Sequence, residues 1–136
     1  MSRCKKSQIV KIARYGDAGP GPKGTVMVVE FELNGEQFVA LNGGPDFKFT
    51  EAISFVVNCE SQQEVDYFWE KLSAGGQEVQ CGWLKDKFGL SWQVVPTIMS
   101  RLLSGPDPAK SQRVMKAMLE MIKIDIATLQ RAYDGK

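Results

Sequence analysis

The sequence contains no histidine, and this absence excludes more chemistry than any other feature of the composition. Histidine is the commonest general base near neutral pH and the usual nitrogen ligand of zinc, copper and iron. Ser/His and Cys/His nucleophilic pairs are excluded with it. A metal ion would need carboxylate, amide and carbonyl oxygens, which suit hard cations. The composition therefore argues against the common kinds of metalloenzyme, and no cofactor is expected.

Cysteine and excess charge are also scarce. The three cysteines, Cys4, Cys59 and Cys81, show no CxxC spacing, and their odd number favours free thiols in a reducing cytoplasm. The 17 basic and 16 acidic residues leave a net charge of +1, which gives no reason to expect a nucleic-acid partner. No apolar run is long enough to span a membrane, and none at the N-terminus resembles a signal peptide. We expect a cytoplasmic protein.

A phosphate-binding loop is missing as well. Residues 16–24 (GDAGPGPKG) are rich in glycine and proline, but no GK[ST] follows and the glycine spacing is wrong for a P-loop. The segment is predicted to be a loop between strands.

Hydrophobic patterns and turn residues predict a series of strands followed by helices. Asn34-Gly35 is a strong hairpin signal. Ser61 and Glu64 form a capping-box pattern at the start of an amphipathic helix, which Gly75-Gly76 ends. The predicted strands are residues 8–15, 25–33, 37–41, 52–59, 78–80 and two within 81–96; helices follow at 97–103, after Asp107 and after Asp125. This order predicts one α+β domain, residues 1–136, with a largely antiparallel sheet.

The segment CGWLKDKFGLSWQVVP, residues 81–96, is the part around which the rest is organised. It is predicted to form two short strands joined by a tight Asp-Lys-Phe-Gly connection, in which Gly89 supplies the unusual backbone angle. In the second strand Leu90, Trp92 and Val94 alternate with Ser91 and Gln93. One face is therefore apolar and the other carries a hydroxyl and an amide. The polar row is the first place to expect a site.

After Pro96, an apolar stripe is predicted on the helix that follows Asp107. It consists of Val114, Met115, Met118, Leu119 and Ile122. Packing against the sheet or a partner is the favoured interpretation, and an adaptable methionine-rich binding surface is the alternative.

Several of these segments together resemble a known family. The stretch LNGGPDFKFTEAISFVVNCES, the amphipathic helix, CGWLKDKFGLSWQVVP and DIATLQRAYDGK are similar to the PhnB-like branch of the glyoxalase/bleomycin-resistance/dioxygenase (vicinal oxygen chelate) superfamily. Members of this branch often carry the label 3-demethylubiquinone-9 3-methyltransferase domain. The resemblance implies paired βαβββ modules that form a curved sheet around a cup-shaped cavity, usually in a dimer.

The sequence departs from that family at its N-terminus. The family normally has a strand and a helix before the strand predicted at residues 8–15, and six residues cannot supply them. The expected organisation is a shortened first module (7–50), a complete second module (51–96) and a helical tail (97–136). A βββ module leaves apolar surface and an edge uncovered, so we expect a homodimer, in which elements could be exchanged between chains.

A second departure concerns the metal that relatives use. In those relatives the last ligand is commonly a Glu after an aromatic residue on the final strand, whereas Gln93 follows Trp92 here. A neutral amide is a poor ligand for a catalytic divalent metal, so no metal site is expected. The methyltransferase label implies S-adenosylmethionine, but no glycine-rich strand–helix turn followed by an acidic residue is present.

The candidate ligand-binding residues are Gln93, Trp83, Trp92, Asn42 and Ser54. The amide of Gln93 could contact a ligand in the cup or could equally serve only the fold. The two indoles could stack on a ligand, but a place in the core is the favoured interpretation for them. Asn42 and Ser54 are placed on strands beside the cup, where a structural role is the favoured interpretation. Cys81 is interpreted as a small buried thiol, because no histidine could activate it. Catalytic residues, if any, cannot be assigned.

Three functional hypotheses follow. The favoured one is a metal-free dimeric module that binds a small apolar or aromatic molecule, as the bleomycin-resistance relatives act by binding. The second is a lyase or dioxygenase that uses a hard metal held by acidic residues, for which Glu30, Glu32, Glu51 and Asp86 are the candidates. The third is a structural or interaction protein whose cup has closed. A methyltransferase is suggested by the family label alone.

Overall fold

A computed structural model of the protein describes residues 7–136. The predictions for residues 1–6, including the free thiol of Cys4, lie outside the described residues. The chain forms two compact units, Met1–Lys48 and Phe49–Lys136. Strands dominate the first unit, and strands and helices share the second, so the predicted α+β class is confirmed.

The N-terminal unit is a three-stranded antiparallel sheet. Its strands are β1 (Gln8–Arg14), β2 (Val26–Leu33) and β3 (Glu36–Leu41), in the order β1-β2-β3. Asn34 and Gly35 both have positive φ, at 53° and 90°, as a two-residue type I′ hairpin requires. The predicted hairpin and the three predicted strands are confirmed.

The glycine-rich loop between β1 and β2 folds around the side chain of Tyr15. The ring lies so close to Gly19 and Gly21 that a Cβ atom at either glycine would collide with it. The Tyr15 hydroxyl donates a hydrogen bond to the Asn42 carbonyl oxygen at 2.5 Å. The glycines of this loop therefore make room for an aromatic ring.

No side chain among residues 7–48 is buried. The strands β1 and β3 each pair with β2 and with no other strand in the described chain. They carry exposed apolar side chains, namely Ile9, Val10, Ile12, Val39 and Leu41. Three strands need a covered hydrophobic face to be stable, and this sheet does not have one.

The C-terminal unit contains one complete βαβββ module. Its elements are β4 (Ser54–Cys59), α1 (Gln62–Ser73), β5 (Gln77–Glu78), β6 (Trp83–Lys85) and β7 (Ser91–Pro96). The strand order is β4-β7-β6-β5, in which β4 and β7 are parallel and the other pairs antiparallel. The helix α1 is the crossover that a parallel neighbour requires. The strand β7 lies inside the sheet, because it pairs with β4 on one side and β6 on the other.

One hydrophobic core forms where α1 packs on this sheet. It contains Cys59, Val65, Trp69, Leu84 and Val94, all buried. The Ser61 hydroxyl accepts a hydrogen bond from the Glu64 backbone N–H at 3.3 Å, as predicted for the N-cap. The Glu64 carboxylate, however, accepts from the Glu60 N–H at 2.8 Å, one residue earlier than a capping box requires.

Three helices complete the unit: α2 (Ile98–Leu103), α3 (Pro108–Leu119) and α4 (Ile126–Asp134). Asp107 and Asp125 cap α3 and α4 with their side chains, as predicted. A second core contains Met99, Leu102, Val114, Ile124 and Leu129. None of the helices found in residues 7–136 is long and apolar enough to cross a membrane.

The predicted apolar stripe of α3 is divided by the structure. Val114 is buried and Met118 packs against the second core, whereas Met115 and Leu119 are exposed. Ile122, also exposed, follows the end of the helix at Leu119 and does not belong to it. The helix contacts the core through a narrower face than the sequence pattern suggests.

Candidate functional site

The connection between β6 and β7 is held by the carboxylate of Asp86. Its Oδ1 atom accepts hydrogen bonds from the backbone N–H groups of Phe88 at 2.9 Å and Leu90 at 3.0 Å. Its Oδ2 atom accepts from Nε1 of Trp92 at 3.0 Å. Gly89 has a φ of +84°, as the predicted tight turn requires. Asp86 therefore has a structural role, and three hydrogen bonds already occupy its oxygens.

The two faces of β7 have different environments. Trp92 packs against the core beneath α1, and its ring centroid lies 5.4 Å from that of Phe55. Val94, on the same face, is fully buried. Gln93 points to the opposite face because successive side chains of a strand alternate. The structure therefore does not bring Trp92 together with Gln93.

The face opposite α1 collects polar side chains from three neighbouring strands. Ser54 of β4 and Lys85 of β6 lie in register with Ser91 of β7, and Trp83 lies in register with Gln93. Paired residues of adjacent strands project to the same side. We call this surface the polar face and define it by these residues: Ser54, Trp83, Lys85, Ser91 and Gln93.

Two predicted candidates on the polar face are bonded to each other. Nε2 of Gln93 donates a hydrogen bond to Oγ of Ser54 at 2.9 Å. The side-chain oxygen of Gln93 accepts no hydrogen bond from any of residues 7–136. Gln93 and Trp83 are both half-buried. The amide is thus oriented by the fold while one of its polar atoms can still receive a ligand's donor.

Ser91 lies between these side chains and was not among the predicted site residues. Its side chain is 1% exposed, and its Oγ has no hydrogen-bond partner in the described part of the chain. The large majority of buried side-chain polar atoms in proteins have a partner. The alternation of β7 placed Ser91 in the polar row, but no sequence pattern indicates that its hydroxyl is buried without a partner in residues 7–136.

Lys85, also not predicted, brings a positive charge to the polar face. Its ammonium group forms an ion pair with the carboxylate of Glu51, in the turn just before β4. The hydrogen bond from Lys85 holds the pKa of the Glu51 carboxyl below its ordinary value. Since β7 lies between β4 and β6, the pair reaches across β7 at the level of Ser91.

These donors do not fit a divalent metal. The polar face offers an amide, two hydroxyls and an ammonium group, and the ammonium group would repel a cation. The acidic candidates are otherwise engaged: Glu51 pairs with Lys85, Glu30 lies 3.9 Å from Lys11, and Asp86 holds its turn. Glu32 accepts a hydrogen bond from Gln8 at 3.0 Å. Across residues 7–136, no three His, Cys, Asp or Glu side chains form a group that could hold a metal ion.

Asn42 belongs to the N-terminal unit and follows β3. Its Nδ2 donates a hydrogen bond to the Val26 carbonyl oxygen at 2.8 Å, and its backbone N–H bonds the Met27 carbonyl oxygen at 2.9 Å. Its own carbonyl oxygen accepts from Tyr15. These bonds tie the end of β3 to β2 and to the glycine-rich loop, which is the structural role favoured for it.

The two described cysteines differ in environment. Cys59 is fully buried, and burial raises the pKa of its thiol to about 11. Cys81 is half-buried and has a positive φ of 60°. Its backbone N–H donates to the Met121 carbonyl oxygen at 2.8 Å. The backbone of Cys81 therefore joins β6 to the segment between α3 and α4.

Similar proteins are found both as a family and as solved structures. The family model described as 3-demethylubiquinone-9 3-methyltransferase matches residues 1–95, which include the whole polar face. The putative 3-demethylubiquinone-9 3-methyltransferase, PhnB protein, from Bacillus cereus is 37% identical with a TM-score of 0.63, covering 68% of this chain and 81% of that one. Protein PA1353 from Pseudomonas aeruginosa has 19% identity and a TM-score of 0.54, over 68% and 80% of the two chains, and shares the fold. No curated protein matches this chain.

Proposed function

This chain belongs to the 3-demethylubiquinone-9 3-methyltransferase family, and we propose that it is a dimeric protein that binds a small, mostly apolar or aromatic molecule on the polar face without a metal ion. The observation that carries the proposal is the half-buried pair of Trp83 and Gln93, side by side on adjacent strands. Small-molecule sites are mostly apolar surfaces with a few well-placed polar groups. Trp83 offers the apolar surface and Gln93 an oriented amide.

The neighbours of Gln93 support this interpretation. Val56, its register partner on β4, is 52% exposed and lies on the same face of the sheet. Gln93 therefore has an apolar side chain on each neighbouring strand, Trp83 on β6 and Val56 on β4. Ser54 fixes the amide by accepting its hydrogen bond, so the side chain does not have to be ordered when the ligand binds. An amide that is already oriented lowers the entropic cost of binding.

A second copy of the chain is proposed to cover the N-terminal unit. The described part of that unit has no buried side chain, and apolar residues are exposed on both of its edge strands. A closed symmetric dimer, with or without exchanged elements, would cover such a surface. Sedimentation at micromolar concentration is expected to give twice the chain's mass of 15.1 kDa. A monomer at that concentration would contradict this part of the proposal.

Methyl transfer is the second candidate, and it is favoured by the description of the matching family and of the B. cereus relative. It requires S-adenosylmethionine, for which the sequence has no recognisable glycine-rich turn. A metal-dependent lyase or dioxygenase is less well supported, because the residues that define the polar face include a lysine and no carboxylate.

A thermal-unfolding screen separates these candidates. The purified protein is heated with aromatic compounds, with S-adenosylmethionine or with divalent cations. A compound at a hundred times its Kd adds about 2.7 kcal/mol to the free energy of unfolding, and each kcal/mol raises the Tm by a few degrees in a domain of this size. We expect stabilisation by aromatic compounds.

Gln93→Met tests whether the polar face is the site, since it keeps the length of the side chain and removes the amide. Gln77→Met, on exposed β5, is the matched control. The stabilisation should fall in the first variant and persist in the second. Stabilisation by S-adenosylmethionine alone would support methyl transfer, a response to cations alone would support the metal-dependent enzyme, and no response at all would overturn the proposal.

A further inference from the structure

The ion pair joins Lys85, on a strand, to Glu51, in an exposed turn. Lys85 lies on β6, where its backbone pairs with Ser91, and its side chain is 31% exposed. Glu51 lies in a turn, and its side chain is 64% exposed. The ammonium group therefore belongs to a residue paired in the sheet, whereas the carboxylate that neutralises it comes from an exposed turn.

The second observation is the buried hydroxyl of Ser91, and it does not depend on the ion pair. Its hydroxyl is buried on the polar face, in the same row as Lys85 and Ser54, without a partner in residues 7–136. A buried hydroxyl without a hydrogen bond destabilises the protein. A ligand oxygen that took the place of the Glu51 carboxylate on Lys85 would enter the row that contains this buried hydroxyl and would give it an acceptor.

We infer that the ligand of the polar face carries a carboxylate, which replaces Glu51 on Lys85 and accepts a hydrogen bond from Ser91, while its aromatic body lies against Trp83. This inference rests on the proposed function and specifies the chemical class of the ligand, an aromatic carboxylic acid. Glu51 then acts as an internal competitor that occupies Lys85 when no ligand is bound.

The structure itself shows that a carboxylate suits this position. The carboxylate of Glu51 already contacts the Lys85 ammonium group there, and that contact keeps the pKa of Glu51 low. An ion pair between partly exposed side chains is weak and screened by salt, so exchanging one carboxylate for another costs little. The gain comes from the hydrogen bond to Ser91 and the stacking on Trp83, which Glu51 does not provide.

The experiment compares 2-naphthoate with its uncharged analogue 2-naphthamide by titration calorimetry on the full chain. The two probes share the aromatic body and differ in the carboxylate. We expect 2-naphthoate to bind about tenfold more tightly, since a charge-assisted hydrogen bond is roughly twice as strong as a neutral one. The difference should shrink as the salt concentration rises.

Two substitutions on the ion pair should have opposite effects. Glu51→Gln removes the internal competitor and is expected to tighten 2-naphthoate binding about threefold while leaving 2-naphthamide unchanged, because the side chain at Lys85 is then neutral. Lys85→Met should remove the preference for the carboxylate, and Lys85→Gln serves if the methionine variant fails to fold. Ser91→Ala should weaken 2-naphthoate binding.

Matched controls make the same charge changes away from the polar face. Lys87→Met alters an exposed lysine in the turn between β6 and β7, whose ammonium group lies over the Phe88 ring. Glu70→Gln alters an exposed residue of α1. Neither should change the preference between the two probes.

The outcomes separate the inference from the function on which it rests. Equal affinity for both probes, or weaker 2-naphthoate binding in Glu51→Gln, would overturn the carboxylate assignment and leave a binding module intact. A carboxylate preference that survives Lys85→Met would overturn the role of Lys85. If neither probe binds, both the inference and the proposal of an aromatic ligand are overturned.

Discussion

Replacing Asp86 by Asn tests how the central hairpin is held together. The substitution keeps the shape of the side chain, and its oxygen can still accept from the Phe88 and Leu90 N–H groups. The new NH₂ group, however, faces Nε1–H of Trp92, so two donors meet where an acceptor stood. Hydrogen bonds to a charged group contribute about 1.5–3 kcal/mol each. The bond from Trp92 is lost and the other two become neutral, so we expect the free energy of unfolding to fall by about 3–5 kcal/mol.

A double-mutant cycle with Trp92→Phe isolates the contribution of the third bond. Phe lacks the indole N–H, so Asp86→Asn should cost about 1.5–3 kcal/mol less in the Trp92→Phe background. Any cavity left by the smaller ring is present in both arms and cancels. Urea unfolding followed by circular dichroism gives all four free energies, and Trp69 and Trp83 still report by fluorescence.

Equal costs of Asp86→Asn in the two backgrounds, within about 0.5 kcal/mol, would refute this reasoning, since residues without an interaction behave additively. Asp46→Asn is the control, because Asp46 is an exposed residue outside the helices and strands. It should change the free energy of unfolding by less than about 0.5 kcal/mol.

Gly76 and Cys59 provide two further predictions. A Cβ atom at Gly76 would collide with the Lys85 carbonyl oxygen and lie 2.9 Å from Cα of Asp86, so Gly76→Ala should lower the free energy of unfolding by about 1–3 kcal/mol; Gly16→Ala, which meets nothing within 4 Å, should have little effect in the same melting experiment. Because the pKa of the Cys59 thiol is raised to about 11, Cys59 should be alkylated by iodoacetamide at pH 8 only when the protein is unfolded. Mass spectrometry with and without urea measures the labelling, and labelling of Cys59 in the native protein would contradict the prediction.

Local signals in the sequence predicted the elements well, because the residues that set them act within a few positions. The Asn34-Gly35 turn, the Asp107 and Asp125 caps and the turn at Gly89 are of this kind. Each depends on backbone angles or on a hydrogen bond inside one turn. Their interpretation needed no knowledge of the rest of the chain.

The candidate site was predicted only in part, because its contacts join distant residues. The alternation of β7 placed Gln93 on a polar row, and the bond between Gln93 and Ser54 joins two of the predicted candidates. The register of β6 against β7 brings Lys85 to the same row, and no local pattern encodes that register. Glu51 was considered only as a metal ligand, whereas the structure pairs it with a lysine.

The division of β7 into two faces has a consequence for testing function in this family. Trp92 and Val94 lie on the side of α1 and hold the core, so substitutions there should change stability first. Ser91 and Gln93 lie on the polar face, where the side-chain oxygen of Gln93 has no hydrogen-bond partner among residues 7–136. Because neighbouring residues of one strand serve different purposes, binding and stability can be changed separately. A variant such as Gln93→Met that keeps its Tm and loses its ligand would therefore assign recognition to the polar face, whichever chemistry the family performs there.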